Sequence, residues 1–340
     1  MQTDDMEKNH FKRFARRYVQ LLAAVLYNCN FKGFATGKIW QGSSKGFCVP
    51  GLNCYSCPGA VAACPLGSFQ TALLSSKYKF PYYVLGTFLL LGLFLGRFIC
   101  GFLCPFGFLQ ELLHKIPTPK IQKSSVTRGL SYLKYGILLI FVIAVPLITL
   151  APGFCKYLCP AGTLEAGIPL TLLQERLRAM TGALFTWKVA VLILILLACV
   201  FCFRAFCRFL CPLGAIYSFF NPVSFFGIKV DQAKCIHCDA CVRHCKMDVR
   251  KVCDRECIQC GECIGRCPAS AIHYGVANGR KNPGANCKDA AGKRSMARIV
   301  LRTLLIAAAI VLLLIGLKDN GFNDLKNKAI RICYECMGIG

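Results

Sequence analysis

Histidine is scarce in this chain of 340 residues: His10, His114, His237, His244 and His273 are the whole complement, and none lies inside an apolar stretch. A bis-histidine haem within a membrane therefore has no ligands here. No glycine-rich fingerprint precedes a helix, so neither a nicotinamide nor a flavin site is indicated. No apolar stretch, conservatively marked, reaches the roughly 20 residues of a standard membrane span. No small-residue cleavage site follows the first stretch, which reads as an inside anchor preceded by Lys12, Arg13, Arg16 and Arg17, not as a cleaved signal peptide.

Apolar residues are abundant, at 55% of the chain, and point to a membrane protein. Five stretches carry them: Tyr18 to Phe31, Phe80 to Gly96, Tyr135 to Leu150, Val189 to Phe203 and Thr303 to Leu317. Lys79, Lys134, Lys188 and Arg302 stand at the ends of the last four, placed to snorkel to an interface. The expectation is a mainly α membrane protein with four to five transmembrane helices and an inserted α+β two-cluster ferredoxin segment. The first stretch has a surface-lying amphipathic helix as its alternative. The formal net charge is +25, but the 41 Lys and Arg residues fall mostly between the apolar runs. They read as topology signals and not as a nucleic-acid face. Five crossings from an inside N-terminus put 97 to 129 and 204 to 297 inside, and 32 to 79, 151 to 183 and 318 to 340 outside. The expected organisation is an anchor and outer cysteine loop over 1–79, a membrane core over 80–228, a ferredoxin segment over 229–275, and a basic linker with the last helix over 276–340.

Cysteine is the outlier, at 25 residues. CIHCDACVRHC from Cys235 is followed by CIQCGECIGRCP from Cys257, two tandem C-x-x-C-x-x-C-x-x-x-C runs specific for two [4Fe-4S] clusters. Three cysteines at intervals of three wrap three corners of one cube, and the displaced fourth reaches the other cube. Cluster one is expected on Cys235, Cys238, Cys241 and Cys267, and cluster two on Cys257, Cys260, Cys263 and Cys245. Lys246 stands where a proline often follows the fourth cysteine, whereas Pro268 keeps it in the second run. Zinc sites also use C-x-x-C pairs, but eight cysteines in this register argue against them.

A shorter repeat surrounds the membrane stretches: CGFLCPFG from Cys100, CKYLCPAG from Cys155, CRFLCPLG from Cys207, and a partial copy, ACPLG, at Cys64. Cysteines four apart share one face of a helical turn. Pro105, Pro160 and Pro212 suit the first position of a following helix, whose positive end favours an anionic cluster. The expected topology gathers Cys100, Cys104, Cys207 and Cys211 inside as one four-cysteine site. Outside lie Cys48, Cys54, Cys57 and Cys64, grouped as one cluster, and Cys155, Cys159, Cys333 and Cys336, grouped as another, with other groupings open. Disulfides, and a redox dithiol at C-Y-E-C from Cys333, are the alternative there. Cys29, Cys199, Cys202, Cys253 and Cys287 are left as buried thiols. Five clusters of about −2 each would lower the net charge to about +15.

At these motifs the chain resembles the membrane polyferredoxin family that includes the quinol-dehydrogenase membrane subunit of periplasmic nitrate reductase and the membrane part of the nitrous-oxide-reductase regulator. The resemblance covers about residues 80 to 270. It implies a multi-pass protein of the bacterial cytoplasmic (inner) membrane, its ferredoxin segment in the cytoplasm. Electrons would pass between quinones, soluble iron-sulfur or flavin redox proteins and an outer or membrane acceptor, within a complex. The N-terminal cysteine loop, the outer Cys155 and Cys159 pair and the fifth helix leading to Cys333 depart from that pattern, and the flavin-attachment domain of some relatives is missing.

The leading expectation is thus an electron-transfer subunit, not a stand-alone enzyme: a conduit from cytoplasmic partners to the membrane or its outer face, with up to five [4Fe-4S] clusters and no haem or flavin. Quinol or quinone oxidoreduction at the membrane edge and a redox-sensing or assembly role are the alternatives. Arg280, Lys281, Lys288, Lys293 and Arg294 are expected to anchor on anionic lipid, with docking of an acidic partner as the alternative.

Overall fold

The structure, a computed structural model, describes residues 2–74, 80–276 and 293–339. Cys287, Lys79 and the basic residues from Arg280 to Lys288 lie outside the described residues. Apolar runs fold as helices that satisfy their own backbone, as hydrocarbon demands. Among the described residues three helices are long and apolar enough to cross a membrane: Ser125–Thr149, Ala183–Phe201 and Ile299–Lys318. They leave Leu139, Leu194 and Leu314 more than half exposed, the surface a lipid-facing helix presents. The run from Phe80 gives a shorter helix, Tyr82–Leu95. Gly96 stops it, adopting a positive φ of 51° that a residue without a Cβ tolerates.

The helices that position the cysteines are, in chain order, α1 (Gln2–Tyr27), α2 (Pro65–Leu74), α3 (Tyr82–Leu95), α4 (Pro105–Leu113), α5 (Ser125–Thr149), α6 (Ala183–Phe201), α7 (Pro212–Phe220) and α8 (Lys293–Lys318). Helices α3 and α8 meet at backbone contact: a Cβ on Gly316 would lie 2.4 Å from the Tyr83 nitrogen, and one on Gly86 would lie 2.9 Å from Leu313 Cγ. Such small-residue seams let membrane helices approach closely. Helix α1 is not among the candidate spans. It buries Arg16, Gln20 and Ala23 while Leu22 and Leu26 stay exposed, the two-faced character of the amphipathic alternative.

Phe226–Val230 (β1) pairs antiparallel with Ile272–Val276 (β2), with Phe226 opposite Val276 and Val230 opposite Ile272. The two strands close the ends of the segment that holds both tandem cysteine runs. The segment 49–68, expected in an outer loop, is almost wholly buried. It enters the bundle and runs between the cysteine-bearing turns, as irregular backbone at membrane depth can do only where protein covers it.

Candidate functional site

The repeated cysteine turns share one local construction. Cys104 caps α4 and Cys211 caps α7, each followed by proline at the first helical position, and each sulfur accepts an amide hydrogen bond from the glycine three residues on, Gly107 and Gly214, at 3.4 Å. Gly162 gives the same bond to Cys159 at 3.4 Å, and Gly67 faces Cys64 likewise, so the partial copy shares the sulfur-capped turn, although Ala60 stands where the other copies have their first cysteine. Sulfur in place of the usual capping oxygen puts a ligand atom at a helix start, where the dipole favours negative charge.

Four cysteines meet at one end of the core. Cys100 and Cys207 each lie near Cys104 and Cys211, and all four are at most 7% exposed. Gln110 donates to Cys207 Sγ at 3.0 Å. The ferredoxin segment seats directly on this set: a Cβ on Gly101 would fall 2.3 Å from the Ile258 carbonyl, between Cys257 and Cys260. Arg97 donates to the Arg255 carbonyl at 2.9 Å and to Glu256 at 3.1 Å. Within the ferredoxin segment Cys267 lies near Cys241, and Cys245 near Cys257 and Cys263. Each displaced cysteine thus reaches toward the other run. Cys235 and Cys238 are partly exposed, whereas Cys257 is buried. Burial pushes the Cys245 thiol up to about 11 and the Cys260 thiol up to about 12, so ligation has to displace protons that the bare sites hold at neutral pH.

A second set lies deeper along α6. Cys54, Cys64, Cys155, Cys159 and Cys336 line one small cavity. The two expected outer foursomes are therefore not kept apart: Cys54 and Cys64 share this cavity with Cys155, Cys159 and Cys336. Cys48 lies beside Cys64, and Cys57 beside Lys45. Cys333 and Cys336 are joined by a disulfide. Helix α6 measures the separation. Lys188 donates to the Cys155 carbonyl, while Cys199 contacts Gln110 beside Cys207, eleven residues or about 16 Å along the axis.

The two sets also touch through a dipeptide. The Leu52 amide faces the Cys104 sulfur, the next amide, Asn53, faces the Cys64 sulfur, and both residues line the deeper cavity. Two amide contacts and one residue step hold those sulfurs on the order of 10 Å apart. Tyr217, fully buried, fills the adjoining space with its hydroxyl on the Pro50 carbonyl at 2.9 Å.

The family description "4Fe-4S binding domain" matches residues 80–124, 135–168 and 184–230. An uncharacterized protein of Methanocaldococcus jannaschii is 31% identical over 199 residues, 55% of this chain and 75% of the relative. The chain belongs to the membrane polyferredoxin family. The putative electron transport protein YccM of Escherichia coli is 27% identical over 186 residues, 52% of this polyferredoxin and 49% of YccM. Regulatory protein NosR of Pseudomonas aeruginosa is 31% identical over 174 residues, 48% of this chain and 22% of NosR. This polyferredoxin thus spans about half of YccM and about a fifth of NosR. No solved structure matches it.

Buried cations test whether the polyferredoxin's sites suit anionic clusters. Arg97, Arg204, Lys45, Lys134 and Lys188 are all at most 1% exposed. Arg204 and Arg16 share Glu111, and Arg16 also meets Glu262 at 3.6 Å, whereas Arg97 and Lys134 share Glu256 alone, an excess of about one positive charge in that group. Nε and Nη2 of Arg97 are buried without a partner among the described residues. Beside the deeper cavity, among the described residues, Lys45 donates to the Tyr55 carbonyl and Lys188 to those of Cys155 and Cys336. Neither meets a carboxylate among the described residues. Unpaired buried cations cost several kcal/mol each, and four thiolates around a cube supply the missing negative charge. Buried cations beside cysteines at both sets suit an anionic group such as a [4Fe-4S] cluster.

Two of these cations depart from the expectation of snorkelling. Lys134 and Lys188, expected to snorkel outward, point inward, the first to Glu256 and the second to the carbonyls of the deeper site. Lys45, Arg97, Arg204 and Leu52 carry no motif of their own; their signal in the sequence is charge or backbone placed close to the cysteine motifs.

Proposed function

We propose that this polyferredoxin is a transmembrane electron conduit. Cluster one sits on Cys235, Cys238, Cys241 and Cys267, and cluster two on Cys257, Cys260, Cys263 and Cys245. The membrane-edge cluster sits on Cys100, Cys104, Cys207 and Cys211, and an outer cluster on Cys54, Cys64, Cys155 and Cys159. Each, when bound, supplies reversible one-electron transfer; the protein's part is to hold, insulate and charge-balance them. The ferredoxin segment faces the cytoplasm, where the partly exposed first run meets a soluble iron-sulfur or flavin carrier. The observation that carries this reading is the Leu52–Asn53 dipeptide, whose successive amides face sulfurs of two different sites. A bilayer core of about 30 Å would be a long single step; here the route is divided, with protein instead of lipid between its stations. The names of YccM and NosR, an electron transport protein and a regulatory protein, accord with electron transfer in a larger assembly.

The test is the iron and acid-labile sulfide content of anaerobically purified protein beside its Cys155→Ser variant. About sixteen irons per chain, falling by about four in the variant, is the expected result. About twelve irons, unchanged in the variant, would end the path at the membrane edge and leave quinol oxidation there as the better reading.

A further inference from the structure

Five sulfurs line the deeper cavity, and a four-cysteine cluster uses four. The fifth belongs to Cys336, which is 2% exposed and already bonded to Cys333. Cys333 is less buried, and Tyr334 beside it is 45% exposed, so the two sulfurs of one bond face different surroundings. Cys336 Sγ is 3.3 Å from the Tyr55 hydroxyl, whose ring lies among Cys54, Cys64 and Cys155. The pair is fixed from both sides: the Cys333 amide donates to Ser56 Oγ at 3.2 Å, and Lys188 donates to both the Cys336 and the Cys155 carbonyls. One buried ammonium therefore ties the disulfide to the cluster turn.

We propose that the Cys333–Cys336 pair is a redox-active disulfide at the end of the conduit, and that the protein reduces disulfides at its outer face. This rests on the conduit reading. A low-potential one-electron carrier at the ferredoxin segment supplies two electrons in succession. They arrive through the site on Cys54, Cys64, Cys155 and Cys159, the S–S bond breaks, and two protons from water complete two thiols. The accessible Cys333 then attacks a disulfide of a soluble thiol-disulfide protein and forms a mixed disulfide. Cys336 displaces the partner as a dithiol and restores the Cys333–Cys336 bond. A C-x-x-C pair with one accessible and one buried sulfur suits that order of attack.

The experiment uses the full-length protein in lipid nanodiscs, reduced anaerobically with dithionite and methyl viologen, then quenched in acid and alkylated with N-ethylmaleimide under denaturing conditions after cluster removal. Mass spectrometry of the C-terminal peptide should show no adduct before reduction and two after it. Cys155→Ser and Cys54→Ser should leave that disulfide oxidised while the visible absorbance of the ferredoxin clusters shows that each variant is folded. Cys333→Ser should keep the iron content of the unmodified protein. A loss of about four irons in Cys333→Ser would make these cysteines cluster ligands and overturn the proposal with the conduit intact. A disulfide that stays closed while the clusters bleach, or opens equally in Cys155→Ser, would overturn it as well. An unchanged iron content in Cys155→Ser would instead sink the conduit itself.

Discussion

Replacing Arg97 with glutamine removes a buried guanidinium whose Nε and Nη2 have no partner among the described residues and whose charge acts on Cys100 and Cys207. An electron arriving at the membrane-edge site adds one negative charge there. With an effective dielectric of about 20 and a separation of about 6 Å, one cation stabilises that charge by about 3 kcal/mol, or about 120 mV at roughly 2.3 kcal/mol per 100 mV. Glu256 keeps Lys134 as its partner, so the variant strands no carboxylate. The midpoint potential of the edge cluster should fall by about 60 to 120 mV, the lower figure allowing for water entering the vacated space. Redox titration followed by electron paramagnetic resonance reads that shift, with iron content as the control. A potential within about 20 mV of the unmodified protein, at full iron content, would refute the counter-charge argument.

The same logic predicts that Lys188→Met lowers the potential of the outer cluster by a comparable amount without moving the ferredoxin clusters, which the same titration resolves. Gly101→Val forces a branched side chain against the Ile258 carbonyl. Overpacking of that kind costs about 1–3 kcal/mol, and stopped-flow reduction should show the ferredoxin clusters filling at the usual rate while the edge cluster lags. Burial opposes the charge on Glu256, but Arg97 and Lys134 outweigh it and hold its pKa below the ordinary 4.5. Its contribution is therefore complete above that value and lost as pH falls through the depressed one. Glu256→Gln should flatten the acid limb of a plot of unfolding temperature against pH, and an unaltered limb would show that the ion pair adds nothing. Cys199→Ala and Cys202→Ala should retain every iron, because these sulfurs contact Gln110 and Arg208; loss of about four irons in either would place it among the ligands.

Features set by spacing within a few residues were legible in the sequence. The proline after Cys104 and Cys211 announced a helix start, and both helices begin there. The tandem runs imply two interleaved sites, and Cys267 lies near Cys241 and Cys245 near Cys257. What depends on contacts between distant segments was not legible. Lys134 and Lys188 stand beside apolar runs, and hydropathy does not distinguish a lysine that reaches for water from one that reaches for Glu256 or a backbone carbonyl. Nothing in the composition of the segment around Cys54 shows that it is buried, with the Leu52 and Asn53 amides facing sulfurs of both cysteine sets. Helix α3 is shorter than its apolar run because it begins after Pro81, its N-cap, and stops at Gly96, which turns the chain with a positive φ.

The unshared ammonium groups of Lys45 and Lys188 have a consequence for the protein's life in the cell. If a cluster occupies the deeper site as proposed, a chain that has not received its iron and sulfide buries these two amines without the negative charge that would sit beside them. Cofactor delivery is then a step of maturation, and an iron-starved cell would contain an immature form prone to local opening and open to membrane proteases. Its abundance would track iron supply without any dedicated regulator, through quality control of a core that closes only when its last charges are matched.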